Sequence, residues 1–503
     1  MTGIMLLASF LRIYELGSIP KPINQEEGFA AAGAMDVING TMKGPFEIGP
    51  KTVWGWTYYS GLYYYGHALF VNIFGLNMTG NRMFAAVSGI IAVLITMAIA
   101  RAVFNKRISY ISGVLVALMG AHIHFSRFGF PFIQNALFGA IVILLLVMCE
   151  KKRYMYIFAL AGISIGIAQY TWSAARVLIA VAVCYLIFKT IQEGKYLKNH
   201  IMHISAMIIG FIFAFMPYIV PFQDKIPNFI EGAKRDFIFG GFMSPHKDQV
   251  LTLLDKLVLL KDYSVQALLE FNFYPDIGYC YAGPGPMLPF VTSILFAIGL
   301  FYLITMWKKP NSMILLLLFF GTIVGLVAMT GQPSYQRAVV LLSLPPIFAA
   351  LAIDKICYFI SSRFTFKKSY LTVALAVLLT YVVFENYNDY FNVLIKKSQD
   401  NPNRISRVAE YIKTADPSYE IYMPDLDLHG QYLINIYLGN TDRVHYGQID
   451  TVISKQKSNP NKKSVFILFE GVTGKANIIE SAYAKHNSHN LNGDDNIKIF
   501  TVE

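Results

Sequence analysis

The chain has 503 residues, of which 55% are apolar, 15% aromatic and only 15% charged, with a net charge of +11. An average soluble domain is about 25% charged, so the length does not divide into several soluble domains: most of this surface faces lipid. Mean hydropathy is +0.46.

Crossing a bilayer takes about 20 apolar residues of helix. Such runs lie at 83–104, 108–125, 130–149, 154–170, 176–190, 201–222, 287–307, 312–330, 338–356 and 370–384. A shorter run at 4–13 is expected either to complete its helix through Arg12 to Leu16 at the interface or to belong to a helix whose true start lies earlier, for about eleven spans in all. Alternate loops carry Lys106-Arg107, Lys151-Lys152-Arg153, the lysines of 189–198, Lys308-Lys309 and the basic stretch 355–368. These are the expected cytoplasmic loops. The loops 16–82 and 223–286, and everything after 385, then face outward. The basic excess is thereby absorbed as inward-facing charge, and no interleaved basic and aromatic ladder of a nucleic-acid binder is present. The expected architecture is an all-α polytopic membrane domain over 1–390 with an extracytoplasmic α/β domain over 391–503.

That second domain is polar and alternates helix-like with strand-like stretches. Helices are predicted at 405–413, 431–438 and 476–485, and strands at 420–423, 444–446, 465–469 and 497–502. This order suggests a small sheet that is partly parallel. Gly471-Val472-Thr473-Gly474 lacks the following Lys-Ser/Thr of a phosphate loop. Cys149, Cys184, Cys280 and Cys357 form neither a metal pair nor a disulfide framework.

Carboxylates are scarce, so their positions inform. Asn24-Gln25-Glu26-Glu27 places two adjacent acids at the start of a helix-like run, with Asn24 as predicted N-cap. Two readings stand side by side: acids that complement the helix dipole, and a general base at the membrane surface. Arg82, Arg127, Arg176 and Arg337 each stand at the outer end of a span. Each reads either as a snorkelling side chain or as part of a phosphate site, since guanidinium binds phosphate oxygens in pairs. Lys51 is a further outer cation, and Asp276 a further outer acid. The Trp- and Tyr-rich stretch 54–65 reads as an interfacial belt or as a sugar- or lipid-contacting platform. His122 and His124 point apart on a helix and have no third ligand close in sequence, so no metal is expected. The stretch 250–269 has helical apolar spacing suited to lying along the membrane plane.

Several pieces together resemble the polyprenyl-phosphate-sugar-dependent glycosyltransferases of GT-C architecture, around the protein O-mannosyltransferases and lipid A aminoarabinose transferases (glycosyltransferase families 39 and 83). They are Leu11-Arg12-Ile13-Tyr14-Glu15-Leu16-Gly17, the Glu26-Glu27 pair, Gly80-Asn81-Arg82 and Phe125-Ser126-Arg127-Phe128-Gly129. Further on come Gln169-Tyr170-Thr171-Trp172-Ser173-Ala174-Ala175-Arg176, then Arg337 followed by Leu344-Pro345-Pro346. They span roughly residues 10 to 350. The resemblance implies a catalytic acid in the first outer loop, Glu26 assisted by Glu27. It also implies cations that hold the donor's phosphate; with the candidates read from the residues themselves, the expected substrate- or phosphate-binding set is Lys51, Arg82, Arg127, Tyr170, Arg176, Asp276 and Arg337. The family carries Asp where this chain has Glu26, and the extra methylene moves the carboxylate by about 1.5 Å, a shift that matters for catalytic positioning. The family's Lys before Pro-Leu-Tyr has no counterpart in Tyr58-Tyr59-Ser60-Gly61-Leu62-Tyr63. The Arg that aminoarabinose transferases carry after the acid pair is replaced by Phe29-Ala30-Ala31.

The expected function is transfer of a monosaccharide from a polyprenyl-phosphate donor to a lipid, protein or glycan acceptor at the outer face of the cytoplasmic membrane, with inversion and without metal or cofactor. A flippase or transporter of a lipid-linked sugar is the rival from another class. It is disfavoured because no repeated halves and no membrane-embedded acid relay are visible. A silent, glycolipid-binding relative is a third reading, and polymerase or ligase chemistry a variant of the first.

Overall fold

The computed structural model describes residues 1–21, 24–47, 61–219, 235–241, 243–278, 280–281, 285–363, 368–400, 403–439, 442–458, 462–469, 476–483, 485–491 and 494–502. Lys51, the stretch 54–60 and the 471–474 turn lie outside them. The chain divides into two units: Met1–Leu16, Met42–Tyr65 and Arg82–Lys396 form the first; Gly17–Thr41, Gly66–Asn81 and Lys397–Glu503 form the second. The composition-based boundary at 390 splits the chain differently, because composition does not register the two short segments that join the second unit.

The first unit is helical. It begins with α1 (Thr2–Ile13). Among the described residues six helices are long and apolar enough to span: Met78–Val103, Phe132–Lys152, Ser173–Glu193, Ile201–Ile219, Pro310–Val327 and Leu344–Arg363. A seventh is the pair Lys106–Leu118 and Gly120–Ser126, bent by 61°. The larger number expected from sequence also counted Thr2–Ile13, Met155–Ala168 and Phe290–Thr305, which are apolar but shorter, and the run at 370–384, which lies in the Lys368–Tyr387 helix. Leu344–Arg363 begins six residues later than expected, because Pro345 and Pro346 fit only the first turn of a helix. Met155–Ala168 and Ile201–Ile219 pack backbone to backbone. A Cβ on Gly162 would sit 1.8 Å from the Met207 carbonyl oxygen, so only glycine permits this approach, as is usual where helices associate in lipid.

At the ends that carry the basic loops, Lys189 is buried and bonds Glu150 at 3.0 Å and Glu193 at 2.5 Å, while the Tyr185 hydroxyl donates to Glu150 at 2.5 Å. A lysine inside an apolar helix is tolerated here because two carboxylates meet it.

The second unit holds a five-stranded sheet of β1 (Glu420–Pro424), β2 (Val444–Gly447), β3 (Ser464–Phe469), β4 (His486–Leu491) and β5 (Asp494–Val502), in the order β2-β1-β3-β5-β4. β1 runs parallel to β2 and β3, with Ile421 opposite Val444 and Val465; β5 is antiparallel to β3 and β4. Alternate residues serve opposite faces. Ile421, Met423, Val465, Ile467, Ile497 and Ile499 pack on one side with Val408, Ile412 and Ile434. Tyr422, Phe466, Leu468 and Phe500 pack on the other with Val452, Ile453 and Ile479. Both faces are covered, which is why β3 reads as a continuous apolar run.

The same unit includes α2 (Gln25–Ile38) and, through residues 66–81, parts of α3 (Gly61–Phe74) and α4 (Met78–Val103). α2 is buried from Glu26 to Ala34 with no polar face. Ala31 and Met78 share a core with Leu433 and Ile436 of the Leu428–Leu438 helix. Ala34 packs on Ala68 and Val71 of α3.

Candidate functional site

The acid pair stands where the sequence puts it. Asn24 has extended backbone, φ −86° and ψ 145°, and its side-chain oxygen accepts from the Glu26 backbone N–H at 3.1 Å. This is the predicted N-cap, and it sets both acids in the first helical turn, where the dipole favours negative charge. Glu26 is 8% exposed and Glu27 fully buried. Consecutive helical residues diverge by about 100°, so the two carboxylates leave α2 in different directions. Glu26 shares a face with Phe29.

The turn is fastened from α4 and α3. Asn81 Nδ2 donates to the Glu27 carbonyl at 3.3 Å, and the Asn81 Oδ1 lies 2.9 Å from His67 Nε2. Burial lowers the His67 pKa to about 4, against the opposing hydrogen bond of Asn81. At neutral pH His67 is therefore an uncharged donor to Asn81. A Cβ added to Gly28 would lie 2.6 Å from the His429 carbonyl oxygen and 2.7 Å from Leu433 Cγ. Glycine is thus the residue that lets the Leu428–Leu438 helix approach the acid-bearing turn. The rings of Phe29 and His429 follow at 3.7 Å between centroids.

Of the expected phosphate-binding cations, Lys51 is outside the described residues. Arg82 and Arg127 are buried. Arg127 Nη1 donates to the Leu11 carbonyl at 2.9 Å, and its Nη2 to those of Tyr14 at 2.7 Å and Glu15 at 3.1 Å; Arg82 Nη1 reaches the Leu16 carbonyl at 3.3 Å. Both guanidinium groups thus meet carbonyls at and just beyond the C-terminus of α1, which has no intrahelical donors of its own to satisfy them. Arg12, part of the Leu11–Gly17 segment, is fully buried too. It bonds the carbonyls of Ala8, Val116 and Ala117 at 3.1 Å and His122 Nδ1 at 2.9 Å. His124 turns instead to the Cys280 carbonyl, 2.8 Å from Nε2. The two histidines have separate partners, and among the described residues no group of three His, Cys, Asp or Glu could hold a metal ion.

Arg176 closes a single 3-10 turn, Ser173–Arg176. Tyr170, nearby in sequence, donates its hydroxyl to the Ala214 carbonyl at 2.9 Å and packs on Tyr218 with centroids 4.9 Å apart. Arg337 pairs with Asp236 at 3.1 Å and also donates to the Thr330 carbonyl; Asp236 is a partner the sequence did not announce. Asp276 Oδ1 accepts from the Tyr335 backbone N–H at 2.9 Å. Beside it lies Glu270, fully buried, whose carboxyl is pushed well above the ordinary range first by burial and then by the Asp276 charge. The available signal for Glu270 was an acid set within the apolar run Ala267-Leu268-Leu269-Glu270-Phe271. Tyr335 spans this corner, its hydroxyl meeting the carbonyls of Tyr274 and Gly285 at 2.9 and 3.1 Å. The structure therefore brings Arg82 and Arg127 together at the end of α1, and gives Arg176, Arg337 and Asp276 their own neighbours.

No functionally curated protein matches the chain by sequence. Residues 62–220 match the family described as dolichyl-phosphate-mannose-protein mannosyltransferase. ArnT from Cupriavidus metallidurans, in its crystal structure bound to undecaprenyl phosphate, superposes with a TM-score of 0.60 at 12% identity, over 99% of this chain and 97% of that one. The Archaeoglobus fulgidus oligosaccharyltransferase in its apo form gives 0.52 at 13% identity, over 94% and 70%. AglB from the same organism, in complex with an inhibitory peptide and a dolichol-phosphate, gives 0.51 at 14% identity, over 92% and 68%. The chain has the GT-C fold expected from the resemblance.

Proposed function

We propose that this protein is a multi-pass glycosyltransferase of the cytoplasmic membrane. It moves one monosaccharide from a polyprenyl-phosphate donor to a lipid, protein or glycan acceptor on the outer face, where the C-terminal domain also lies. The observation that carries this reading is the end-to-end likeness to a structure holding undecaprenyl phosphate, in a chain that sets two buried acids in its first outer loop.

In this reading Glu26 accepts the proton of an acceptor hydroxyl or amine as its oxygen or nitrogen attacks the anomeric carbon. The bond from that carbon to the phosphate oxygen breaks, and polyprenyl phosphate leaves with the electron pair. A single displacement inverts the anomeric configuration. Glu27, held through its own carbonyl by Asn81, supports the turn and its negative field. Arg176 and Arg337, with Lys51 and Tyr170, hold the donor phosphate. Arg82 and Arg127 add positive field while fixing the end of α1, and cations preset around a developing phosphate charge stabilise it without metal.

A transporter of lipid-linked sugar is the second reading, favoured by one observation: the 61° break between Lys106–Leu118 and Gly120–Ser126, since broken helices mark transport sites. The break is filled, however. A Cβ on Gly120 would lie 3.6 Å from both the Tyr281 hydroxyl and the Tyr390 side chain.

Mass spectrometry of surface glycans and membrane lipids, in a deletion strain and its complement, separates these readings. The transferase reading expects one sugar mass to disappear from the acceptor and to return on complementation. Loss of the sugar on the outer leaflet, with the intact lipid-linked donor trapped inside, would support transport instead.

A further inference from the structure

The strand order β2-β1-β3 has a consequence for the C-terminal domain. β1 leads through the Leu428–Leu438 helix to β2 on one side, and β2 leads through the Ile449–Lys457 helix back across to β3 on the other. The two helices pack on opposite faces, Ile434 in one core and Val452 in the other. The reversal therefore falls at the carboxyl end of β1, the place where open α/β sheets form a ligand crevice. There the chain reads Pro424-Asp425-Leu426-Asp427-Leu428-His429. Asp425 takes a left-handed conformation, φ 58°, and Asp427 caps the following helix by accepting from the Gly430 N–H at 3.2 Å.

His429 is the unexplained residue of this turn. It is 9% exposed. Its Nδ1 faces Asp427 Oδ2 at 3.4 Å, while Nε2 is buried without a hydrogen-bond partner. A carboxylate at Nδ1 sets the proton there and leaves Nε2 as a lone pair, and a buried acceptor left unmet is costly. The ring lies on Phe29, which shares a face of α2 with Glu26. Asp427 Oδ2 and the unmet His429 Nε2 are both hydrogen-bond acceptors, which suits a ligand that brings hydroxyl donors.

We infer that the turn Pro424–His429 and the first turn of α2 form the acceptor subsite of the transferase, in which His429 Nε2 accepts a hydrogen bond from a hydroxyl of the acceptor. This rests on the transferase reading and gives the C-terminal domain a part in the reaction: it orients the acceptor hydroxyl beside Glu26, with His429 as the positioning residue.

The test uses full-length, detergent-purified wild type, His429→Phe and His429→Gln, with membranes of the deletion strain supplying native donor and unmodified acceptor. Initial rates of sugar addition are followed by mass spectrometry as the amount of acceptor membrane is varied, and undecaprenyl phosphate is added as a competing probe of the donor site. His429→Phe keeps the ring against Phe29 and removes the lone pair. It is expected to raise the half-saturating acceptor amount about tenfold, the effect of one lost hydrogen bond of this kind. Inhibition by undecaprenyl phosphate is expected to stay as in wild type. His429→Gln, which restores an acceptor atom, is expected to recover most of the loss. An unchanged half-saturation in His429→Phe overturns the subsite. So does an equal fall of the plateau rate in both variants, which marks His429 as packing. If wild type itself adds no sugar to deletion-strain membranes, the transferase reading fails, and the subsite with it.

Discussion

Gly28→Ala is the most informative single perturbation, because a methyl group there acts on geometry the structure defines. The new Cβ would sit 2.6 Å from the His429 carbonyl oxygen and 2.7 Å from Leu433 Cγ, about 0.8 Å inside ordinary contact for the nearer atom. The obstructing oxygen belongs to the backbone in the first turn of a helix, so it yields only if that helix moves. Overpacking of this kind costs about 1–3 kcal/mol, against a gain of about 1 kcal/mol from replacing glycine inside a helix. The net is a loss of up to about 2 kcal/mol, a fall in Tm of up to about 8 °C at 2–4 °C per kcal/mol. The functional effect is larger than the stability effect. The acid turn is pushed off its seat, and a displacement of about 1 Å at a catalytic group costs on the order of a hundredfold in rate. Gly325→Ala is the control, since its Cβ meets nothing within 4 Å. Thermal melts in detergent and initial rates of sugar addition are measured on both variants. Full activity in Gly28→Ala with Tm unchanged or raised would refute the argument that the C-terminal domain seats the acid pair.

Other outcomes follow from the same geometry. His67, with its pKa lowered to about 4 by burial, takes up its proton in the unfolded chain first as pH falls. Its contribution is complete above pH 6.5 and is lost between 6.5 and 4, up to about 3 kcal/mol; melts across that window should show the loss, and His67→Gln should flatten it. Arg127→Lys removes the fork that meets three carbonyls at the end of α1 and should cost about 3 kcal/mol, read as lost folded protein in detergent size exclusion. In a background without native cysteines, Lys413→Cys should react with a membrane-impermeant maleimide in intact cells, and Lys152→Cys only after permeabilisation. The reverse pattern would invert the proposed topology.

Much of the fold was legible because its causes are local. The apolar runs announce their helices, and in the second unit the predicted strands 420–423, 444–446 and 465–469 appear as Glu420–Pro424, Val444–Gly447 and Ser464–Phe469. β4 was not legible: His486-Asn487-Ser488-His489-Asn490 is polar throughout, and an edge strand needs only one neighbour, here β5. Nor was the Ile449–Lys457 helix, a short segment whose last turn, Lys455-Gln456-Lys457, is wholly polar. At the site, Asn24 as N-cap could be read from residue types. Arg82 and Arg127 could not be separated from phosphate ligands, since a guanidinium that meets the Leu16 or Leu11 carbonyl 66 to 116 residues away has the same sequence appearance as one that meets a ligand. His429 left no trace, because its role depends on a contact with Phe29 four hundred residues earlier.

The central claim is that Glu26 performs the chemistry. The direct measurement compares deletion strains complemented with wild type, Glu26→Gln and Glu26→Asp, matched for protein in the membrane, by mass spectrometry of glycans and lipids. The missing sugar is expected to return with wild type, to fail to return with Glu26→Gln, and to return in part with Glu26→Asp, which keeps the base and shortens its reach. Full restoration by Glu26→Gln would contradict the account and leave the acid pair as the cap of a buried helix.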